Sequence, residues 1–316
     1  MRKFTLYWSN LDRYEHCPQQ FLWGRGWGAI DCGGGPGRRK PLPFVSSRHH
    51  AVMGIVIQGV IERMYNDEWW REPKSLRERM LKAVAQEWVY QTAKEWNFVD
   101  YRVAGTKESL LQICRDGITG YLRTMKQHRF LGEWTKAEYE LLGWVDKYNP
   151  VGGRADLVFR RADTGITILD GKNSKSKGKY TDPDQLRWYA MLYYLAFREM
   201  PQRLGFVYYR YPYGKPMEDD KGNPVLDDSG EQQIEEGVDW VEFTKDDLKG
   251  LAQRAVAARK DMEKEKFQAN PVPSYCKWCD WETVCPERQA QKDKNRRNPK
   301  KVAGVGGSGG FTDFTL

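Results

Sequence analysis

A chain of 316 residues, 40% of them hydrophobic, carries ample material for a packed core, and its length suggests roughly two domains. A formal charge of +8 and a pI near 9.0 favour a polyanionic partner, although five of the eight charges sit in one stretch, Pro286 to Lys301, where seven basic residues face Glu287 and Asp293. The longest apolar run, Ala190 to Phe197, is far too short to cross a bilayer and no signal-peptide core follows Met1, so a soluble cytoplasmic protein without a membrane partner is expected.

The first predicted element is a short helix with Ser9 as N-cap, on which Leu11, Tyr14, Cys17 and Phe21 recur at helical spacing. Pro18 biases Cys17 away from the helical region, which sets the thiol at a break or bend. Taken alone, Cys17 reads more readily as a small buried residue than as a ligand. Residues Gly24 to Pro43, with GGGPGRRK inside, read as a flexible basic loop. Helical periodicity dominates from Arg48 to Phe130, with breaks near Glu72-Pro73 and around Val99 to Gly105. His50, Gly54 and Gln58 lie four apart and share a face of the first of these helices, and Gly54 admits close approach of a backbone or ligand. The helices expected at 74–97 and 106–130 are amphipathic, with a core face and a solvated face; stacking on DNA is the lesser alternative.

At Glu133 the period switches to two. The stretch GRADLVFRRADTGITILDGK, residues 153–172, holds two apolar runs, Ala155 to Phe159 and Ile166 to Leu169, about an Asp163-Thr164-Gly165 turn, which predicts a β-hairpin. Asp156 is expected to open the first strand and Asp170 to close the second, with Lys172 projecting on the same side as Asp170. Two carboxylates and an ammonium at a sheet end suit phosphodiester hydrolysis, since carboxylates bind a hard divalent cation and a lysine can place or activate water. Ordinary turn and edge charges are the alternative for these residues in isolation. A basic loop, Asn173 to Lys179, leads into a helix that starts around Asp184 and Gln185 and runs to about Glu199. Leu204 to Tyr211 and Val238 to Phe243 read as strands, joined by an acidic excursion, Pro216 to Gly237, expected to be mobile and to face away from nucleic acid. Thr244 caps a helix to about Gln268.

Near the end, Cys276, Cys279 and Cys285 form a CxxC pair followed by a third cysteine, and six cysteines in such a chain argue for metal or catalysis before disulfides. A tetrahedral centre needs a fourth thiolate, for which Cys17 is the natural candidate: Cys17 and Cys285 both precede proline, as in ferredoxin-type iron-sulfur sequences. Structural zinc is the alternative. Cys32 and Cys114 are left as ordinary cysteines. Beyond Pro286 the basic run passes into GVGGSGG and FTDFTL, a flexible tail over 287–316 that either docks a partner or is disordered.

The order Gly54 to Gln58, Gly153-Arg154-x-Asp156, Asp170-x-Lys172 and Gln185 to Tyr189 resembles the RecB-like branch of the PD-(D/E)XK nuclease superfamily. One N-terminal and three C-terminal cysteines bracketing these motifs resemble the iron-sulfur nucleases of that branch, CRISPR-associated exonucleases among them. The resemblance spans Ser9 to Pro286. It implies an α/β fold, a central mixed sheet flanked by helices, with the N- and C-terminal ends joined by a four-cysteine metal cluster. It implies Asp156 and Asp170 as Mg²⁺ or Mn²⁺ ligands, Lys172 as the catalytic lysine, Gln185 and Tyr189 supporting the site, and Cys17, Cys276, Cys279 and Cys285 on a 4Fe-4S cluster. Where the family has histidine this chain has Gln58, so either Gln58 is a weaker ligand or His50 contributes. Arg154, Lys175, Lys177 and Lys179 are the expected DNA contacts. The expected domain is single and interrupted over 1–285, with a helical insertion at about 46–130, a core at about 133–243 and a closing helix and cysteine cluster at 244–286. The expected activity is metal-dependent exonuclease cleavage of single-stranded DNA or DNA ends in recombination, repair or phage DNA processing, in a bacterial or phage-infected cell, with a helicase, recombinase or single-strand-binding protein as partner. A non-catalytic DNA-binding or assembly module of the same fold and a site-specific endonuclease are the alternatives.

Overall fold

The structure, a computed structural model, describes residues 4–25, 47–94, 97–178, 181–211, 216–226, 230, 232–233, 235–277 and 279–297. Cys32, Lys179, the glycine-rich basic loop from residue 26 onward and the tail beyond Arg297 lie outside the described residues. The chain divides into two compact units, one of residues 3–8 and 44–260, the other of residues 9–43 and 261–316.

The larger unit is built on a mixed sheet of β1 (Leu6–Tyr7), β2 (Trp134–Trp144), β3 (Pro150–Arg161), β4 (Gly165–Lys172), β5 (Arg203–Tyr208) and β6 (Val238–Val241). The sheet path runs β1-β3-β4-β5-β6, and β2 pairs with β3. β3 is antiparallel to β2 and β4, β4 is parallel to β5, and β5 is antiparallel to β6. The parallel step requires a crossover, and helix α7 (Pro183–Phe197), numbered in chain order with the others below, supplies it. The side chain of Asp182 caps that helix by accepting from Asp184 N at 2.9 Å.

Both faces of the central strands are buried. Leu157, Phe159, Leu169 and Val207 join the core of α3 (His49–Asn66), α4 (Pro73–Thr92) and α6 (Lys107–His128), while the alternate residues Val158, Ile168 and Phe206 are buried as well. The expected breaks in the helical region hold: a short 3₁₀ turn, Trp69–Arg71, precedes α4, and α5 (Tyr101–Ala104) separates α4 from α6. Thr106 caps α6 through Ser109 N at 3.1 Å. α4 ends at Thr92, short of the expected 97. Thr244 precedes α8 (Lys245–Glu263) and exchanges bonds with Asp247, accepting from its backbone N at 3.2 Å and donating its own N–H to the carboxylate at 2.7 Å.

Two expectations are corrected. Asp156 lies in the middle of β3 rather than at its start, because Pro150, Gly152 and Gly153 do not break the strand. A Cβ at Gly153 would stand 2.8 Å from Leu192 Cδ1 and 3.0 Å from Tyr189 Cε1, so the glycine exists to let α7 pack against bare strand backbone. The basic stretch after Cys285 is not flexible throughout. It forms α10 (Pro286–Arg297), with proline at its first position and Glu287 in its first turn.

The smaller unit contains α2 (Pro18–Arg25), α9 (Pro273–Cys276), α10 and all but the first residue of α1 (Trp8–His16). Cys17 sits at the joint between α1 and α2, as Pro18 predicts. Tyr14, Phe21 and Phe267 form an aromatic cluster, and Tyr14 Oη donates to Lys266 O at 2.9 Å. Trp23 meets Trp281 at 6.1 Å between ring centres.

Candidate active site

The hairpin of β3 and β4 delivers the two aspartates, and α7 delivers the groups that hold them. Asp170 is 3% exposed at the end of the buried run of β4, and Asp156 is half-buried on β3. Gly171 N donates to Asp156 Oδ2 at 2.8 Å, which fixes that carboxylate against the neighbouring strand. Lys172 Nζ pairs with Asp170 Oδ2 at 2.7 Å and donates to Gln185 Oε1 at 3.0 Å. Gln185 returns its amide N–H to Asp170 Oδ1 at 2.8 Å and lies 3.4 Å from Tyr189 Oη, one turn further along α7. The amide thus bridges the ammonium and the carboxylate, using its acceptor on one and its donor on the other. Removal from water, with Asp170 and then Glu138 beside it, pushes Asp156 well above the usual carboxylate range. Burial also raises Asp170, against the opposing pull of Lys172. Tyr189 is raised by burial first and by Asp170 next.

A third carboxylate, not singled out in the sequence, completes the group. Glu138 on β2 lies across from Asp156 in the β2–β3 register, since Ala137 pairs with Leu157 and Tyr139 with Ala155. Its φ of 48° is left-handed, strained for a non-glycine residue and interrupting the ladder at this point. Its carboxylate accepts from Gln58 Nε2 at 2.8 Å and pairs with Arg154 Nε at 2.8 Å. Gln58 in turn accepts from Tyr209 Oη at 2.5 Å. These groups open on a cleft of about 920 Å³ between α3, α4 and the sheet, with Gln58, Glu138, Arg154, Asp156 and Tyr209 on its wall. Period-two patterning puts Glu138 on a strand, but nothing in the sequence marks its backbone or its partner.

Across residues 7–286 the chain matches the sequence profile of the PD-(D/E)XK nuclease superfamily. The chain belongs to that superfamily. No curated protein matches it. A solved structure titled "Crystal structure of SSO0001" is similar at 16% identity and a TM-score of 0.32, over 75% of this chain and 85% of that one. Members of the superfamily are nucleases that generally use Mg²⁺ or Mn²⁺.

For a PD-(D/E)XK site, the donor set here is buried Asp170 and half-buried Asp156, with Lys172 paired to Asp170 and held by the supporting amide. The repulsion from Asp170 and Glu138 that helps raise Asp156 is what a divalent cation would relieve, and Mg²⁺ binds through one or two carboxylates with water and substrate phosphate completing its shell, so the residues fit such an ion. Among the described residues no group of three or more His, Cys, Asp or Glu side chains is arranged to hold a metal. The other expected residues divide. Gln58 lies on the cleft wall, but its oxygen already accepts from Tyr209. His50 lies against His49, 4.0 Å between ring centres, its pKa lowered by burial and then by His49 and Arg210; it is not on the cleft wall. Arg154 is mostly exposed and paired with Glu138. Lys177 is engaged by Asp239 at 3.4 Å, and Lys175 lines a separate pocket.

In the smaller unit Cys17, Cys276, Cys279 and Cys285 line one cavity. Burial raises the thiol pKa values of Cys276, Cys279 and Cys285, that of Cys279 to about 11, and Cys17 adds to the rise in the first two. The donor chemistry suits a thiolate-bound centre, which would have to draw protons off the thiols. Cys114, left as an ordinary cysteine from the sequence, is fully buried in the larger unit, its Sγ 3.9 Å from Met53 O.

Proposed function

We propose that the protein is a metal-dependent deoxyribonuclease, acting as an exonuclease on single-stranded DNA or DNA ends. The observation that carries this reading is the group formed by Asp156, Asp170, Lys172 and Gln185, in which one amide ties the lysine to buried Asp170 and Gly171 N holds Asp156 beside it. Asp156 and Asp170 would hold Mg²⁺ or Mn²⁺, and the ion, when bound, supplies charge stabilisation at the phosphate and a more acidic water. Lys172 carries the positive charge at the sheet end, held by Asp170 and Gln185 so that little ordering remains for it during reaction. Tyr189 supports Gln185 from the next turn. Gln58 then positions Glu138 rather than acting as a direct metal ligand, since its N–H and its oxygen are both engaged. Arg154, Lys175 and Lys177 contribute contacts to the DNA backbone.

For the smaller unit we propose that Cys17, Cys276, Cys279 and Cys285 bind a 4Fe-4S cluster, with the nuclease segments forming one interrupted domain closed by it. A role in recombination, repair or phage DNA processing, with a helicase, recombinase or single-strand-binding protein, follows from the RecB-like resemblance. A non-catalytic DNA-binding module is the second reading, favoured by glutamine at the position where the family has histidine. Cleavage of labelled DNA separates them: with Mg²⁺ or Mn²⁺, end-labelled linear single strands should be shortened progressively while circular DNA survives. Discrete fragments from circles would point to an endonuclease, and intact substrate in every form to the binding module.

A further inference from the structure

A second pocket of the larger unit, about 520 Å³, opens at the end of β5. Arg123 and Asp116 reach it from α6, Lys175 from the loop after β4, and Tyr209 and Arg210 from the turn after β5. Among the described residues Arg123, Lys175 and Arg210 make no ion pair or hydrogen bond, so three cations face one carboxylate, itself held by Gln112 at 2.9 Å. Arg210 is the informative member. It is half-buried, and burial pulls its pKa below the ordinary range, with Cys114 and Asp116 offsetting only part of that. A guanidinium partly stripped of water, with Asp116 near it but no ion pair or hydrogen bond formed, is costly until an anion completes it, and its planar fork matches phosphate.

The neighbouring cleft has the opposite character. Glu62, Asp67, Glu87, Glu138 and Asp156 lie on its wall against Arg63, Lys94 and Arg154, an acidic excess that disfavours a polyanion wherever no cation intervenes. Tyr209 lines both the acidic cleft and the basic pocket, which places the two side by side. We propose that Arg123, Lys175 and Arg210 form a phosphate subsite that grips the DNA strand at a phosphate other than the one brought to the carboxylate pair, an inference that rests on the nuclease reading. The subsite holds the strand by charge and the acidic cleft performs the chemistry.

The test is fluorescence anisotropy of a labelled single-stranded oligonucleotide with the full chain in metal-free buffer, where binding is read apart from cleavage. Arg123→Gln, Lys175→Gln and Arg210→Gln should each weaken binding roughly tenfold, as expected for a lost charged hydrogen bond. Each should also flatten the dependence of log affinity on log salt by about 0.7, the value for one single-strand phosphate contact. Lys74→Gln, an equal charge loss on the exposed start of α4, should leave affinity and salt slope unchanged. Arg210→Gln should melt no lower than the parent, because it removes a half-buried charge that makes no ion pair or hydrogen bond among the described residues, so its weaker binding reports the contact and not misfolding. Oligonucleotides with and without a terminal phosphate identify the group held. A difference between parent and variants that vanishes without the terminal phosphate assigns a phosphomonoester, and one that persists assigns a backbone phosphodiester. Unchanged binding in the three variants, or equal weakening by Lys74→Gln, overturns the subsite. Binding with the expected pattern but no cleavage under Mg²⁺ or Mn²⁺ overturns the nuclease reading alone.

Discussion

Replacing Gly171 by alanine probes how tightly the end of β4 is built against Tyr209. An added Cβ would stand 1.6 Å from Tyr209 Oη and 2.3 Å from its Cζ, far inside the roughly 3.5 Å at which carbon atoms meet comfortably. The tyrosine has little freedom to retreat. It is 3% exposed, its ring meets Tyr121 edge-on at 5.7 Å, and its backbone oxygen lies only 2.2 Å from where a Cβ on Gly120 would fall. Forced repacking of this kind costs about 1–3 kcal/mol. Loss of the Tyr209 hydroxyl bond to Gln58 adds about 1 kcal/mol. A total of roughly 2–4 kcal/mol corresponds to a fall in Tm of about 4–16 °C for a unit of this size. Calorimetry of the parent, Gly171→Ala, Tyr209→Leu and the double variant measures it. Leucine removes the clashing Oη and Cζ, so the double variant should lose less than the sum of the single losses, and cleavage by Gly171→Ala should drop by roughly 100-fold as Gln58 and Glu138 shift. A parental Tm for Gly171→Ala, or additive losses in the double variant, would refute the close packing.

Asp156 is held above the usual carboxylate range by burial, Asp170 and Glu138, so the metal-free folded protein keeps a proton there that the unfolded chain releases. Its contribution to stability therefore falls as pH rises from the unfolded value of about 4 through the folded pKa. Melting of metal-free parent and Asp156→Asn across that window should show the parent losing Tm relative to the variant as pH rises; a constant difference contradicts the assignment. Gln185→Leu removes the bridge between Lys172 and Asp170 while the ion pair remains, so turnover should fall by roughly 10–100-fold with little change in the affinity for uncleaved DNA; equal loss of both in single-turnover and binding measurements counts against a positioning role. Cys17→Ser should reduce the iron and sulfide content of anaerobically purified protein as much as Cys276→Ser, Cys279→Ser or Cys285→Ser, whereas Cys114→Ser should cost stability without changing the metal. Zinc at one per chain without iron or sulfide sinks the cluster proposal.

Much of the scaffold is legible in the sequence because its signals are local. The switch to period two at Glu133, the Asp163-Thr164-Gly165 turn with Gly165 at φ 66°, and the proline after Cys17 each act on their own backbone, and the structure follows all three. The Asp-x-Lys and Gln-x-x-x-Tyr spacings likewise bring Asp170, Lys172, Gln185 and Tyr189 within bonding distance. What escapes is set by tertiary contact. Gly152 and Gly153 look like a strand boundary, but a Cβ at Gly153 would meet Leu192 and Tyr189 of α7, and one at Gly152 would meet Leu142, Thr5 and Tyr7. Glu138 looks like one more solvent-facing strand residue, and only the register against Asp156 and the bond from Gln58, 80 positions away, bring it to the site. Gly171 carries no sequence signal of its own, but a Cβ there would collide with the ring of Tyr209, in the turn after β5.

The central claim is that the buried aspartate pair is a metal-dependent phosphodiesterase centre. Its most direct test is cleavage of end-labelled single-stranded DNA by purified parent and Asp170→Ala, each with Mg²⁺, with Mn²⁺ and with chelator. The parent should shorten the strand only with a divalent ion, and Asp170→Ala should stay folded, bind the DNA and leave it uncut under every condition. Cleavage by Asp170→Ala at the parental rate, or by the parent in chelator, contradicts the claim.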